Sequence, residues 1–199
     1  MQNEGGVSQP ANINLIGTNI LKVDFPVFHN NKVETHNFND YSGKWVILFF
    51  YPADFTFVCP TELEELADMY DEFTKIGAEV ISMSTDKAFT HKAWHDKSPA
   101  ISKVRFPMGA DPTGQISKSL GVYIEDEGVA SRASFIIDPD GVIKAFEVND
   151  NSIGRSAKEL HRKLVAAQFV AKHGDKVCPA SWEEGDEGLT PGVDLVGKI

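Results

Sequence analysis

Cysteine is scarce in this chain. Its 199 residues hold two, Cys59 and Cys178, and neither belongs to a Cys-x-x-Cys pair. That spacing counts against the local dithiol of a thioredoxin-type exchanger. Basic residues are also in deficit: 19 Lys and Arg against 29 Asp and Glu leave a formal net charge of −10. A nucleic-acid partner would want a basic face, so none is expected. No apolar run approaches the roughly 20 residues of a membrane-spanning helix, and no membrane partner is expected. Met1 to Asn12 carries neither a basic n-region nor an apolar core. Residues 1–12 therefore read as a flexible N-terminal extension, and a reducing cytoplasm is the expected compartment. There is no glycine-rich phosphate loop, so no nucleotide cofactor is expected on this chain. His91 is followed by Lys92 rather than by the Glu of His-Glu-x-x-His. His91 and His95 read as a helix-surface pair, with no metal expected.

What is present centres on one stretch. Trp45 to Phe50 is a continuous apolar run, the pattern of a strand buried on both faces of a sheet. Beyond it Leu63, Leu66, Ala67, Tyr70 and Phe73 recur at three- and four-residue steps, predicting an amphipathic helix over Glu62 to Phe73. Pro60 suits the first turn of that helix. Cys59 then falls at the N-cap or in the first turn, where free N–H groups and the positive end of the dipole face its sulfur. Burial as a small inert hydrophobe is the ordinary fate of a free cysteine. This address instead suits a nucleophile. Thr56 stands three residues earlier, where its hydroxyl can bond a thiolate or an oxygen of a bound substrate.

The remaining pattern alternates. Lys22 to His29 and the segment before Trp45 read as short strands or loops punctuated by Pro26 and Asn30-Asn31. Ala78 to Ser84 reads as a second buried strand, with Thr85-Asp86 as caps for a helix over Lys87 to Lys97. Pro99, Pro107 and Pro112 predict a loop-rich stretch, and a short helix is expected over Gln115 to Leu120. Ser134 to Asp138 and Val142 to Val148 flank Pro139-Asp140-Gly141 as a hairpin. A long helix is expected over Arg155 to His173, with Leu160, Leu164, Ala167 and Ala171 on one face and Gly174 at its end. This order gives one three-layer α/β domain over residues 13–173, built on a mixed sheet. Residues 174–199 read as an extended C-terminal arm carrying Cys178.

Pro52-Ala53-Asp54-Phe55-Thr56-Phe57-Val58-Cys59 resembles the Pro-x-x-x-Thr-x-x-Cys motif of the peroxiredoxins. With Val177-Cys178-Pro179-Ala180 it resembles their typical two-cysteine class. Ser84-Thr85-Asp86, His91 to His95, Asp111-Pro112-Thr113-Gly114 and Asp194 to Ile199 also fit the bacterial alkyl hydroperoxide reductase peroxidase subunits. The resemblance spans Ile13 to Ile199 and implies a thioredoxin-like fold. It implies a thiol-dependent peroxidase acting on hydrogen peroxide and alkyl hydroperoxides, with Cys59 as peroxidatic nucleophile passing through a sulfenic acid. Cys178 would be the resolving cysteine, pairing with Cys59 of a second subunit. Thr56 and Arg132 would hold the peroxide and the charged sulfur, and Pro52 would shield it. Glu62, Trp94 and Arg155 would support the arginine and the pocket wall. The partners implied are a separate flavoprotein disulfide reductase or a thioredoxin, and a homodimer that assembles into a decamer of five dimers. A dithiol exchanger and a non-enzymatic holdase ring are the competing classes. Insulin reduction and client aggregation would respectively reveal them.

Overall fold

The computed structural model describes residues 14–198. The expected N-terminal extension, 1–12, lies outside the described residues, as do Ile13 and Ile199. The first strands are β1 (Asp24–His29), β2 (Lys32–Asn37) and β3 (Trp45–Phe50). Next come α1 (Cys59–Asp68), α2 (Tyr70–Lys75), β4 (Ala78–Ser84), α3 (Ala88–Lys97), β5 (Met108–Ala110) and α4 (Gln115–Ser119). A two-stranded ribbon of β6 (Tyr123–Ile124) and β7 (Val129–Ala130) leads to β8 (Arg132–Ile137), β9 (Ile143–Asn149) and α5 (Ala157–Lys172). Seven strands form one sheet in the order β2-β1-β5-β4-β3-β8-β9. β4 lies parallel to β3 and β5, while β8 lies antiparallel to β3 and β9, so the sheet is mixed.

The apolar run of β3 has the cause expected of it. Ile47 and Phe49 enter a core under α1, α3 and α5, with Leu63, Leu66, Trp94, Leu160 and Leu164. Val46, Leu48 and Phe50 enter a second core with Phe25, Phe38, Phe135 and Ile116. Helices, sheet, and a layer of α4 with the N-terminal segments make three layers, the mixed-sheet α/β architecture expected from the sequence.

Several local expectations change. The helix expected over Glu62 to Phe73 is two helices, divided at Met69, which sits at φ −96° and ψ 1°. Asn30 and Asn31, read only as punctuation, both have positive φ (49° and 59°) and turn β1 into β2, as a two-residue hairpin requires. The proline-rich stretch contains β5, a short strand between β1 and β4. Asp86 does not cap α3: the N-cap is Lys87, without a side-chain bond, and the Asp86 carboxylate accepts from Asp54 N–H and Ser84 O–H. Ala171 is exposed and Val165 joins the buried face of α5 instead. The helix ends at His173, whose N–H bonds Phe169 C=O, and Gly174 does not adopt positive φ.

The arm after α5 is not extended. Val177 and Leu189 bridge, and Trp182 is buried against Phe169 with ring centroids 4.7 Å apart. Arg162 Nη1 donates to Trp182 C=O at 2.9 Å, fastening the arm to α5.

Candidate active site

β3 delivers the chain to the middle of the sheet, and an eight-residue loop carries it into α1 at Cys59. Tyr51 N–H still bonds Met83 C=O, so the loop leaves from a fixed point. Phe55 sits at φ +55°, a conformation that costs a bulky residue free energy and persists only where its neighbours impose it. Those neighbours are visible. Asp54 is buried, accepts from Tyr51 O–H at 2.8 Å and faces His91 Nδ1 at 2.8 Å. His91 Nε2 lies 3.0 Å from Gly109 C=O, an acceptor only, so that nitrogen carries a proton. Nδ1 faces a carboxylate oxygen, so a further proton lies between the two side chains. Burial, then the charge of Asp54, push the Tyr51 phenol well up, keeping it a donor. Trp94 packs its ring 6.0 Å from those of both Tyr51 and Phe55.

His91 is therefore not a helix-surface residue: its side chain is fully buried, on the face of α3 that also buries Ala88 and Trp94. Tyr51, Asp54 and His91 were missed as a network. The three-residue spacing from His91 to buried Trp94 was the available signal. Asp54→Ala leaves His91 and Tyr51 buried without their shared acceptor, and the expected loss is about 3–5 kcal/mol of stability. Urea unfolding measures it, and a loss under about 1 kcal/mol would show that the network is slack.

Cys59 is the first residue of α1 and is fully buried. Its N-cap, Val58, offers no side-chain acceptor, Pro60 has no N–H, and the Thr61 and Glu62 N–H groups bond Val58 C=O, so charge at the sulfur is met chiefly by the helix dipole and by side chains. β8 begins with Arg132, whose Nη1 stands 3.3 Å from Cys59 Sγ and 2.7 Å from Glu62 Oε2. Arg132 Nε donates to Asn151 C=O at 2.7 Å, which fixes the guanidinium plane. Glu62 binds a second arginine: Arg155 Nε and backbone N–H reach Oε1 at 2.9 and 2.8 Å. The Arg155 guanidinium lies over the Phe49 ring, with Cζ 3.4 Å from the centroid. Two buried arginines against one buried carboxylate leave one positive charge in excess. An anion at Sγ completes it.

The structure thus brings Cys59, Glu62, Arg132 and Arg155 together, with Trp94 behind the loop. Pro52 and Thr56 are half-buried on that loop. Thr56 Oγ1 donates to Ala53 C=O at 2.8 Å rather than to the sulfur, leaving its lone pairs to accept. Cys178 is not in the site. It is a free, partly buried thiol on the arm, with Sγ 3.8 Å from Ala166 C=O of α5.

Known proteins resemble this chain over most of its length. The model of the AhpC/TSA family matches residues 16–146, and that of the C-terminal domain of 1-Cys peroxiredoxin matches 166–197, a span that here contains Cys178. Alkyl hydroperoxide reductase C of Salmonella typhimurium is 50% identical over 187 residues, 94% of this chain and all of the relative. The Pseudomonas aeruginosa protein of that name is 48% identical over the same shares. The crystal structure of Enterococcus faecalis AhpC superposes with a TM-score of 0.82 at 48% identity, covering 84% of this chain and all of that one. Reduced 2-Cys peroxiredoxin of Plasmodium vivax gives 0.87 at 33% identity, covering 92% and 96%. The conjunction of a thioredoxin-like sheet, a first-turn cysteine and these matches over most of the sequence means that the chain belongs to the AhpC/TSA family of peroxiredoxins.

Proposed function

We propose that this peroxidase reduces hydrogen peroxide and organic hydroperoxides through a two-thiol cycle that starts at Cys59. One observation carries the reading: a fully buried thiol in the first turn of α1, with the Arg132 guanidinium 3.3 Å from its sulfur. The thiolate attacks one peroxide oxygen and the O–O bond breaks. The other oxygen takes a proton and leaves as water or alcohol, and Cys59 becomes a sulfenic acid. Arg132 supports negative charge on the sulfur and then on the leaving oxygen. The hydroxyl of Thr56, its own hydrogen given to Ala53, accepts from the peroxide O–H. Pro52 narrows access so that a small hydroperoxide enters and bulk water does not.

Resolution belongs to Cys178 of a second copy. The Cys59 sulfur is too deeply buried for another backbone to reach, so the first turn of α1 has to unwind. A valine N-cap, with no side-chain bond to the first-turn N–H groups, holds that turn less firmly than Ser or Asp would. β9 is the last strand of the sheet, bonded on its outer edge at Ile143 to Gly17 and Thr18, and it exposes Phe146 and Val148, the surface a two-fold dimer would cover. Exposed Phe57 and Phe89 supply further apolar surface for assembly of dimers into a decamer. A separate flavoprotein disulfide reductase or a thioredoxin then restores the thiols, in the cytoplasm. No helix among the described residues is long and apolar enough to cross a membrane.

Peroxide-treated protein is expected to run as a disulfide-linked dimer on a non-reducing gel, and Cys178→Ser protein as a monomer. A monomeric band from the native sequence would overturn the intersubunit bond. The pH dependence of resolution has a definite sign. Burial pushes the Cys178 thiol up, partly opposed by the charge of Arg162, so it is held as thiol at neutral pH. Only the thiolate attacks. Disulfide formation after a single equivalent of peroxide is expected to quicken steadily from pH 7 past the ordinary thiol range near about 8.5, as followed by stopped-flow tryptophan fluorescence. A flat profile would place the slow step in the unwinding of α1.

A further inference from the structure

We propose that the β1–β2 hairpin carries a divalent transition-metal site made by His29, Glu34 and His36. The register places Val27 opposite Glu34, Phe25 opposite His36 and His29 opposite Lys32, so alternation puts all three candidate ligands on one face. Their ligand atoms lie within 4.8 Å of one another. Glu34 Oε1 is 3.0 Å from His36 Nε2 and 3.7 Å from His29 Nδ1. Ligands about 2.0–2.2 Å from a zinc ion stand at much these separations, so small side-chain rotations suffice. The histidines are partly buried and Glu34 is exposed, which leaves a path for an ion and its remaining waters.

The hydrogen bonds around the rings support this reading. His29 Nε2 lies 3.2 Å from Arg105 C=O, which only accepts, so Nε2 carries the proton. Nδ1, the other ring nitrogen, faces the Glu34 carboxylate at 3.7 Å, where a cation could lie between them. His36 Nδ1 contacts Tyr41 O–H, which can accept from the ring once Nε2 binds a metal. Both rings therefore have an outer partner fixing the ligating nitrogen, as metal-bound imidazoles have. Two imidazole nitrogens and a single carboxylate select zinc-like borderline ions over calcium or magnesium, which need more oxygen ligands. Nothing in the site touches the chemistry at Cys59.

The test is a Co2+ titration of the full chain carrying serine at both cysteines, read by visible d–d absorption, with Zn2+ as competitor. The expected result is saturable binding of one Co2+ per chain, displaced by Zn2+. His36→Gln and Glu34→Gln are each expected to weaken it at least about tenfold, while the remote variant His173→Gln leaves it unchanged. Circular dichroism establishes that each variant is folded. Absence of saturable binding, or binding equally tight in the two site variants, would overturn the proposal. Peroxidase activity plays no part in the readout.

Discussion

Cys59→Ser is expected to reduce peroxide turnover to the uncatalysed rate. A serine hydroxyl remains protonated at neutral pH, and it offers no sulfur to take up the peroxide oxygen as a sulfenic acid. Size is nearly preserved, so the packing around the first turn of α1 survives and the loss reports chemistry. Cys178→Ser separates the two thiols: one equivalent of peroxide is still consumed per chain, but disulfide-dependent recycling stops. Peroxide consumption with a flavoprotein reductase or thioredoxin system measures the first variant, and a single-turnover experiment the second. Undiminished steady-state activity in Cys59→Ser protein would remove the basis of the proposed cycle.

Arg132→Met is expected to slow peroxide reduction by roughly 10²–10³-fold, the cost of losing a donor aimed at developing negative charge. Methionine fills much of the arginine's volume and removes its charge. Glu62 then keeps only Arg155, and the excess positive charge that an anionic sulfur completes is gone. Arg132→Lys should recover only part of the rate, because a single ammonium cannot bond Asn151, Glu62 and the sulfur together as the guanidinium does. The second-order rate constant with hydrogen peroxide is the measurement, and thermal unfolding distinguishes misfolding from lost chemistry. A rate within about threefold of the native value, under about 1 kcal/mol, would mean that the arginine only holds α1 in place.

Much of this was legible in the chain itself. Trp45 to Phe50 has no period because both faces of β3 are buried, and that continuity identified the central strand. Local rules also located the Cys59 helix start, the β8–β9 hairpin and most of α5, since each depends on neighbours in sequence. The resemblance nominated Arg132, Glu62 and Arg155, which lie 70 and 93 residues apart along the paths that join them in space. What the tertiary structure alone decided is which partners those groups face. That Glu62 holds both arginines, that Asp54 reaches His91 37 residues on, and that the arm folds back through Trp182 are long-range pairings. No periodicity encodes such pairings. The charges and hydrogen-bonding groups were evident in the sequence, but burial decides how strongly they bind one another. Burial arises only when the sheet brings distant segments together.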